Sequence, residues 1–189
     1  MNAVPRLTPL TPPAAADTLF GVDTGLQRTG YAILSAGSRA GEYRLVEAGV
    51  VRIRPQAALE IRLAELLANI GALLDAHAPR LLACEELYAH YKHPRTAILM
   101  GHARGVVLAA AAARALRVIP VSATRVKKTL TGNGHASKAQ VQRAVAATLG
   151  LARVPEPSDV ADAIAIALCG LRLASAPHAV RAARAGASQ

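Results

Sequence analysis

Aromatic side chains are scarce in this sequence, with four Tyr, one Phe and no Trp among 189 residues. Cysteine is scarcer still: Cys84 and Cys169 both lie in apolar runs. They read as small buried hydrophobes in a reducing compartment, which excludes a disulfide-stapled scaffold. His90, His93, His102 and His135 do not stand at zinc-ligand spacing to these cysteines, so no structural zinc is expected. No stretch is long and apolar enough to span a membrane. The N-terminus lacks a continuous apolar core ahead of Pro12-Pro13, so no secretory signal is expected and the cytoplasm is the expected compartment. Acid is also in short supply. Twelve Asp and Glu face 22 Lys and Arg, giving a net charge of +10 and a pI near 10.6. That surplus attracts polyanions, because each neutralised phosphate releases condensed counterions. Ribosomal, membrane-surface and structural DNA proteins share such a charge, so it does not name a function alone.

What is present supports a folded body. Hydrophobic residues make up 52% of the chain, which excludes general disorder, and the length suits one domain with a short tail at each end. Residues 1–17 are rich in Pro and Ala without usable periodicity and read as a disordered extension. Residues 176–189 read as a basic, Ala-rich tail. Between them, 18–23, 30–35 and 43–53 read as strands. Leu59, Leu63, Leu66, Leu67, Ile70, Leu73 and Leu74 recur at helical spacing over 57–77, and Pro79 ends that helix. Residues 81–87 read as a buried central strand, 95–115 as an Ala-rich helix and 117–121 as a short strand. Ser122 is placed to cap a helix reaching Thr131, and Ser137 to cap one ending at Gly150. A last helix is expected over 158–175. This order gives an α/β fold, a mixed five-stranded sheet with helices packed on it.

Four acids fall where burial makes them costly. Asp23 closes the apolar run of the first strand and Glu85 that of the fourth, while Asp159 and Asp162 open the last apolar helix. An unpaired buried carboxylate costs several kcal/mol or becomes neutral. A hard divalent cation such as Mg²⁺ or Mn²⁺ removes that penalty with oxygen ligands. If the first and fourth strands are adjacent and parallel, Asp23 and Glu85 emerge together at the carboxyl edge of the sheet. Asp159 and Asp162, three apart, share a helix face, and the apolar stripe Val160, Ile164, Ala167, Leu168 and Leu171 should lie on another. Singly, such acids commonly serve turns or a helix dipole. Together they suit a pair of metal ions that activates water and stabilises the leaving oxygen of a phosphodiester.

Five segments then carry a resemblance. They are Gly21-Val-Asp-Thr-Gly-Leu-Gln-Arg-Thr-Gly-Tyr31, Ala83-Cys-Glu-Glu-Leu-Tyr88, Gly101-His-Ala-Arg-Gly-Val106, Val126-Lys-Lys128 with Gly132-Asn-Gly134 and Lys138, and Asp159-Val-Ala-Asp-Ala-Ile-Ala-Ile166. In this order, over residues 18–174, the chain resembles the RuvC family of bacterial Holliday-junction resolvases, within the RNase H-like nuclease superfamily. The resemblance implies an RNase H-like nuclease domain over 18–175, with helices on both faces of the sheet. It implies a homodimer that binds four-way junction DNA and nicks two opposing strands symmetrically with Mg²⁺ or Mn²⁺, in recombination and repair beside a branch-migration helicase complex. The catalytic and metal-binding acids would be Asp23, Glu85, Asp159 and Asp162. Lys127 and Lys138 would be basic residues near the site and Tyr88 the aromatic that enters the junction centre, with Arg125 and Lys128 as further DNA contacts.

The chain departs from the family pattern at Thr24 and Leu26, in the turn after the first acid, and at Glu86. Side chains alternate along a strand, so Glu86 should point away from Glu85 and the metal site. Two other classes fit less well. Asp23-x-Gly25 after a strand also occurs in sugar-kinase and actin-like ATPases, but those need two duplicated domains. A DNA-binding module without chemistry has no reason to set four acids against phosphates. An RNase H-like RNA nuclease is the nearest alternative enzyme.

Overall fold

The computed structural model describes residues 18–39, 41–87 and 94–175. The expected tails, 1–17 and 176–189, and the positions of Tyr88, His90 and His93 lie outside the described residues. In chain order the elements are β1 (Thr18–Asp23), β2 (Arg28–Ala36), β3 (Tyr43–Arg52), α1 (Leu59–His77), β4 (Leu81–Glu85), α2 (Pro94–Ala112), β5 (Arg117–Val121), α3 (Ala123–Thr131), α4 (Lys138–Leu149) and α5 (Ser158–Ala174). The sheet has five strands in the order β3-β2-β1-β4-β5. β1 is antiparallel to β2 and parallel to β4, so the most apolar strands occupy the centre.

Alternation along β1 divides the core. Leu19 faces the layer of α3, α4 and α5, while Phe20 and Val22 face α1 and α2. On that second face Leu66, Ile70 and Leu74 of α1 are buried, as their helical spacing requires. Local chemistry sets the helix ends. Ser122 Oγ accepts from the Arg125 amide, and Ser137 with Gln140 forms a reciprocal capping box. Gly132 and Gly150 close α3 and α4 in the left-handed region, with φ of 77° and 63°, where a β-carbon is strained.

Three expectations need correction. The Ala-rich helix α2 ends at Ala112 instead of reaching residue 115. The fourth strand stops at Glu85 instead of running to residue 87. The chain leaves the sheet there, and the Glu86 amide donates to the Val121 carbonyl. α5 carries no single apolar stripe: every residue from Val160 to Leu171 except Asp162 is buried. The helix lies between the sheet on one side and α3 and α4 on the other, so it is apolar nearly all round.

Small residues let α5 lie close to the sheet. A β-carbon added at Gly21 would stand 2.5 Å from Ala167 Cβ and 2.7 Å from the Ala163 carbonyl oxygen. One added at Gly170 would stand 2.7 Å from Ala83 Cβ. Gly21→Ala must therefore push α5 outward, at about 2–3 kcal/mol of overpacking. Its Tm is expected to fall by roughly 4–12 °C, a loss that calorimetry would measure directly. An unchanged Tm would show that helix and strand are not in contact.

Candidate active site

Register places the first two acids. Val22 pairs with Cys84 across the parallel β1–β4 ladder, so Asp23 and Glu85 are the next residues on both strands. They leave the sheet side by side at its carboxyl edge. α5 begins over the same edge, and Gly30 of β2, opposite Asp23, lies directly beneath the Asp159 carbonyl, where a β-carbon would collide. That contact seats the first turn of α5, with Asp159 and Asp162, above Asp23. Asp23, Glu85 and Asp162 line an open cleft of about 290 Å³ together with Lys127 of α3, Lys138 of α4 and the apolar walls Val126, Val141 and Ile166. Asp159 is not among the lining residues, but its charge acts on Asp23.

The electrostatics are those of crowded negative charge. Burial, then the neighbouring Asp162, Glu85 and Asp159, raise the Asp23 pKa to about 7, against a partial opposing pull from Lys138. Burial and Asp162 also raise Glu85, while Lys127 lowers it. Two cations answer the other pair of acids. Lys138 Nζ donates to Asp162 Oδ2 at 2.6 Å, which raises the lysine pKa, and Arg28 Nη2 donates to Asp159 Oδ2 at 2.6 Å. Among the described residues no group of three Asp, Glu, His or Cys side chains is already drawn together at metal-binding spacing. The donor set nevertheless fits a hard divalent ion. All four candidate ligands are carboxylates, and a shared cation would offset both the burial and the mutual repulsion that raise the Asp23 pKa.

Of the expected DNA contacts, Lys127 and Lys138 enter the cleft. Arg125 and Lys128 are exposed on α3 and do not line it, and Tyr88 lies outside the described residues. The turn at Thr24 and Leu26 is intact despite its departure from pattern. Thr29 Oγ1 donates to the Gly25 carbonyl at 2.6 Å and accepts from the Gly25 amide, and Leu26 is buried in the core beneath α1 and α2. Sequence reasoning missed Arg28 and Arg104. Arg104 of α2 donates from Nε to the Glu85 carbonyl at 2.9 Å and so fixes the strand end that carries that acid. Both residues stood inside the matched segments, and only their charge could have marked them.

A mixed five-stranded sheet with an acidic cluster at its carboxyl edge, beside a basic helix pair, defines an RNase H-like nuclease. Residues 19–170 match the family model described as crossover junction endodeoxyribonuclease RuvC. The crossover junction endodeoxyribonuclease RuvC of Rhodopirellula baltica is 49% identical over 166 residues, covering 87% of this chain and 92% of the relative. The solved structure of Thermus thermophilus RuvC in complex with Holliday junction substrate is similar at a TM-score of 0.76 and 34% identity, covering 81% of this chain and 92% of that one. The yeast mitochondrial Holliday junction resolvase Ydc2 shares the fold at a TM-score of 0.61 and 13% identity, covering 83% and 80%. This chain belongs to the RuvC family of crossover junction endodeoxyribonucleases. Membership in that nuclease family implies dependence on a divalent metal.

The raised pKa of Asp23 has a signed consequence for stability. The folded chain holds this proton above the ordinary value of 3.8 and up to about 7. Its contribution to stability is therefore fully present at low pH and is lost as pH rises through that window. In chelator-treated protein, raising pH from about 5 to about 8 is expected to lower the Tm more in the wild type than in Asp23→Asn. Adding Mn²⁺ at the higher pH should restore the wild type selectively. Parallel pH profiles for the two proteins would contradict a crowded, ionisable Asp23.

Proposed function

We propose that this chain resolves four-way DNA junctions by hydrolysing phosphodiesters at Asp23, Glu85, Asp159 and Asp162. The observation that carries the reading is the cluster of Asp23, Glu85 and Asp162 in a cleft edged by lysines, with Asp159 close enough to help raise the Asp23 pKa to about 7, in a strongly basic chain. The crossover junction endodeoxyribonuclease of Rhodopirellula baltica and the junction-bound RuvC of Thermus thermophilus support the same substrate. Two Mg²⁺ or Mn²⁺ ions held by the carboxylates would supply water activation and stabilisation of the leaving oxygen.

The chain's own groups do the rest. Asp23 and Glu85, rigid at adjacent strand ends, set the floor of the site, and Asp159 and Asp162 close it from α5. Lys138, released when Asp162 changes partner, turns its ammonium toward the scissile phosphate. Lys127 offsets negative charge beside Glu85. Arg125 and Lys128 contact backbone phosphates farther along α3. Tyr88, three residues past Glu85, stacks on unpaired bases at the junction centre. Paired symmetric cuts need two sites related by a two-fold axis, so the working unit is a homodimer. A branch-migration helicase complex is the partner that delivers junctions, and a DNA substrate together with the protein's two free cysteines, Cys84 and Cys169, fits the cytoplasm. Among the described residues no helix is long and apolar enough to cross a membrane.

Asp23→Asn removes one negative ligand while keeping shape. Nicking of a four-way junction with purified Mg²⁺ or Mn²⁺ is expected to fall roughly 10²–10⁴-fold with binding retained, and the same holds for amide variants of Glu85, Asp159 and Asp162. Near-normal cleavage by any of them would remove that residue from the site, and preferential cleavage of structured RNA would reassign the substrate. Tyr88→Ala should reduce junction distortion and cutting, by the roughly 1–3 kcal/mol that stacking on a base contributes, with Tm and duplex binding nearly unchanged. Tyr88→Phe should be mild. A Tm lower by many degrees, with unaltered cleavage per folded molecule, would make Tyr88 a core residue.

A further inference from the structure

On the β2–β3 side of the cleft two arginines stand directly opposite each other. Arg28 and Arg52 are register partners where β2 begins and β3 ends. Like charges in that arrangement are destabilising, and the sequence offers no local reason for them. Both side chains project toward the α5 face. Val51 and Ile53 are buried in the core beneath α1 and α2, while Val50 packs on the opposite core, so Arg52 between Val51 and Ile53 must point to that opposite side. Arg28 reaches Asp159 at the start of α5, on the same side.

Their place relative to the acids is set by register. Asp23, Gly30 and Val50 form one row across β1, β2 and β3. The Arg28–Arg52 pair lies two residues outward from that row, about 7 Å beyond the sheet edge that carries Asp23. Arg52 is exposed and has no ion pair among the described residues, while Arg28 is 42% exposed and shares one carboxylate, Asp159. One acid cannot neutralise two guanidiniums. Arg54, the next basic residue, is paired with Glu65, so the unmet charge is local to the pair. A counter-ion role toward Asp159 accounts for Arg28 and leaves Arg52 without a purpose.

We propose that Arg28 and Arg52 form a phosphate-binding step on the β2–β3 rim, which holds the backbone of a substrate DNA arm beside the carboxylates. The step rests on the junction-cleaving reading above. Planar guanidinium forks match phosphate oxygens in geometry and charge, and a polyanion laid along this rim removes the repulsion between them. The contact is to backbone, so it adds affinity without sequence preference.

The test uses the full chain and a labelled four-way junction in chelator, with affinity measured by anisotropy over a range of salt. Arg52→Gln is expected to weaken binding roughly 3–10-fold and to lower the slope of log affinity against log salt by about 1. Arg52→Glu should weaken it further. Nicking at subsaturating protein should fall in step with binding, and the Tm should equal that of the wild type or exceed it, because a like-charge pair has been relieved. Unchanged affinity and salt slope, with wild-type junction cutting intact, overturn the rim contact alone. A lower Tm with normal binding per folded molecule makes Arg52 structural and overturns it as well. Failure of the wild type to bind or cut the junction overturns the underlying function instead.

Discussion

The close seat of α5 on β1 and β2 is the contact on which the site depends. Gly21 meets Ala163 and Ala167, Gly170 meets Ala83, and Gly30 meets the Asp159 carbonyl, each without room for a β-carbon. At Gly21 and Gly30 the closest atoms are backbone and β-carbon atoms, which no change of rotamer can move, so the spacing between helix and sheet is narrowly set. That spacing decides whether Asp159 and Asp162 stand over Asp23 or several ångströms away. The geometry of the acid cluster is thus a consequence of core packing by residues that carry no charge.

The same packing creates an electrostatic burden. Asp23 is held among three other carboxylates at the edge of a core, and its proton is retained up to about pH 7. A cluster this repulsive lowers the stability of the metal-free fold, the expected trade between activity and stability at a preorganised site. Arg28 and Lys138 relieve part of it by pairing with Asp159 and Asp162. These pairs are partly exposed, and screening limits what they contribute. They remain exchangeable, which suits positions where a cation or a phosphate must compete for the same groups.

Rigidity at the strand ends comes from side chains on other elements. Arg104 of α2 holds the Glu85 carbonyl, Arg62 of α1 holds the Leu26 carbonyl, and Thr29 closes the turn onto Gly25. Each satisfies a backbone group at the point where the ladder stops, which loops beside an active site otherwise leave to water. α1 and α2 therefore steady the two strand-borne acids from one face of the sheet, while α5 supplies the remaining two from the other.

Much of this was legible from sequence because the signals are local. The runs 18–23 and 117–121 match β1 and β5 to the residue, and the caps at Ser122 and Ser137 act on amides three positions away. The four acids were conspicuous because scarce charge interrupted apolar segments. The end of β4 at Glu85 was not legible, because residues 86 and 87 have no local signal that separates strand from exit. Nor was the all-round burial of α5, since alanine suits an exposed face and a tight interface equally well. Only the tertiary structure joins Arg28 to Asp159, 131 residues apart, or sets Arg28 opposite Arg52. Residue type and spacing state what a side chain can do, but its partner depends on register and on how closely two backbones approach, and those arise only when the whole sheet and its helices pack.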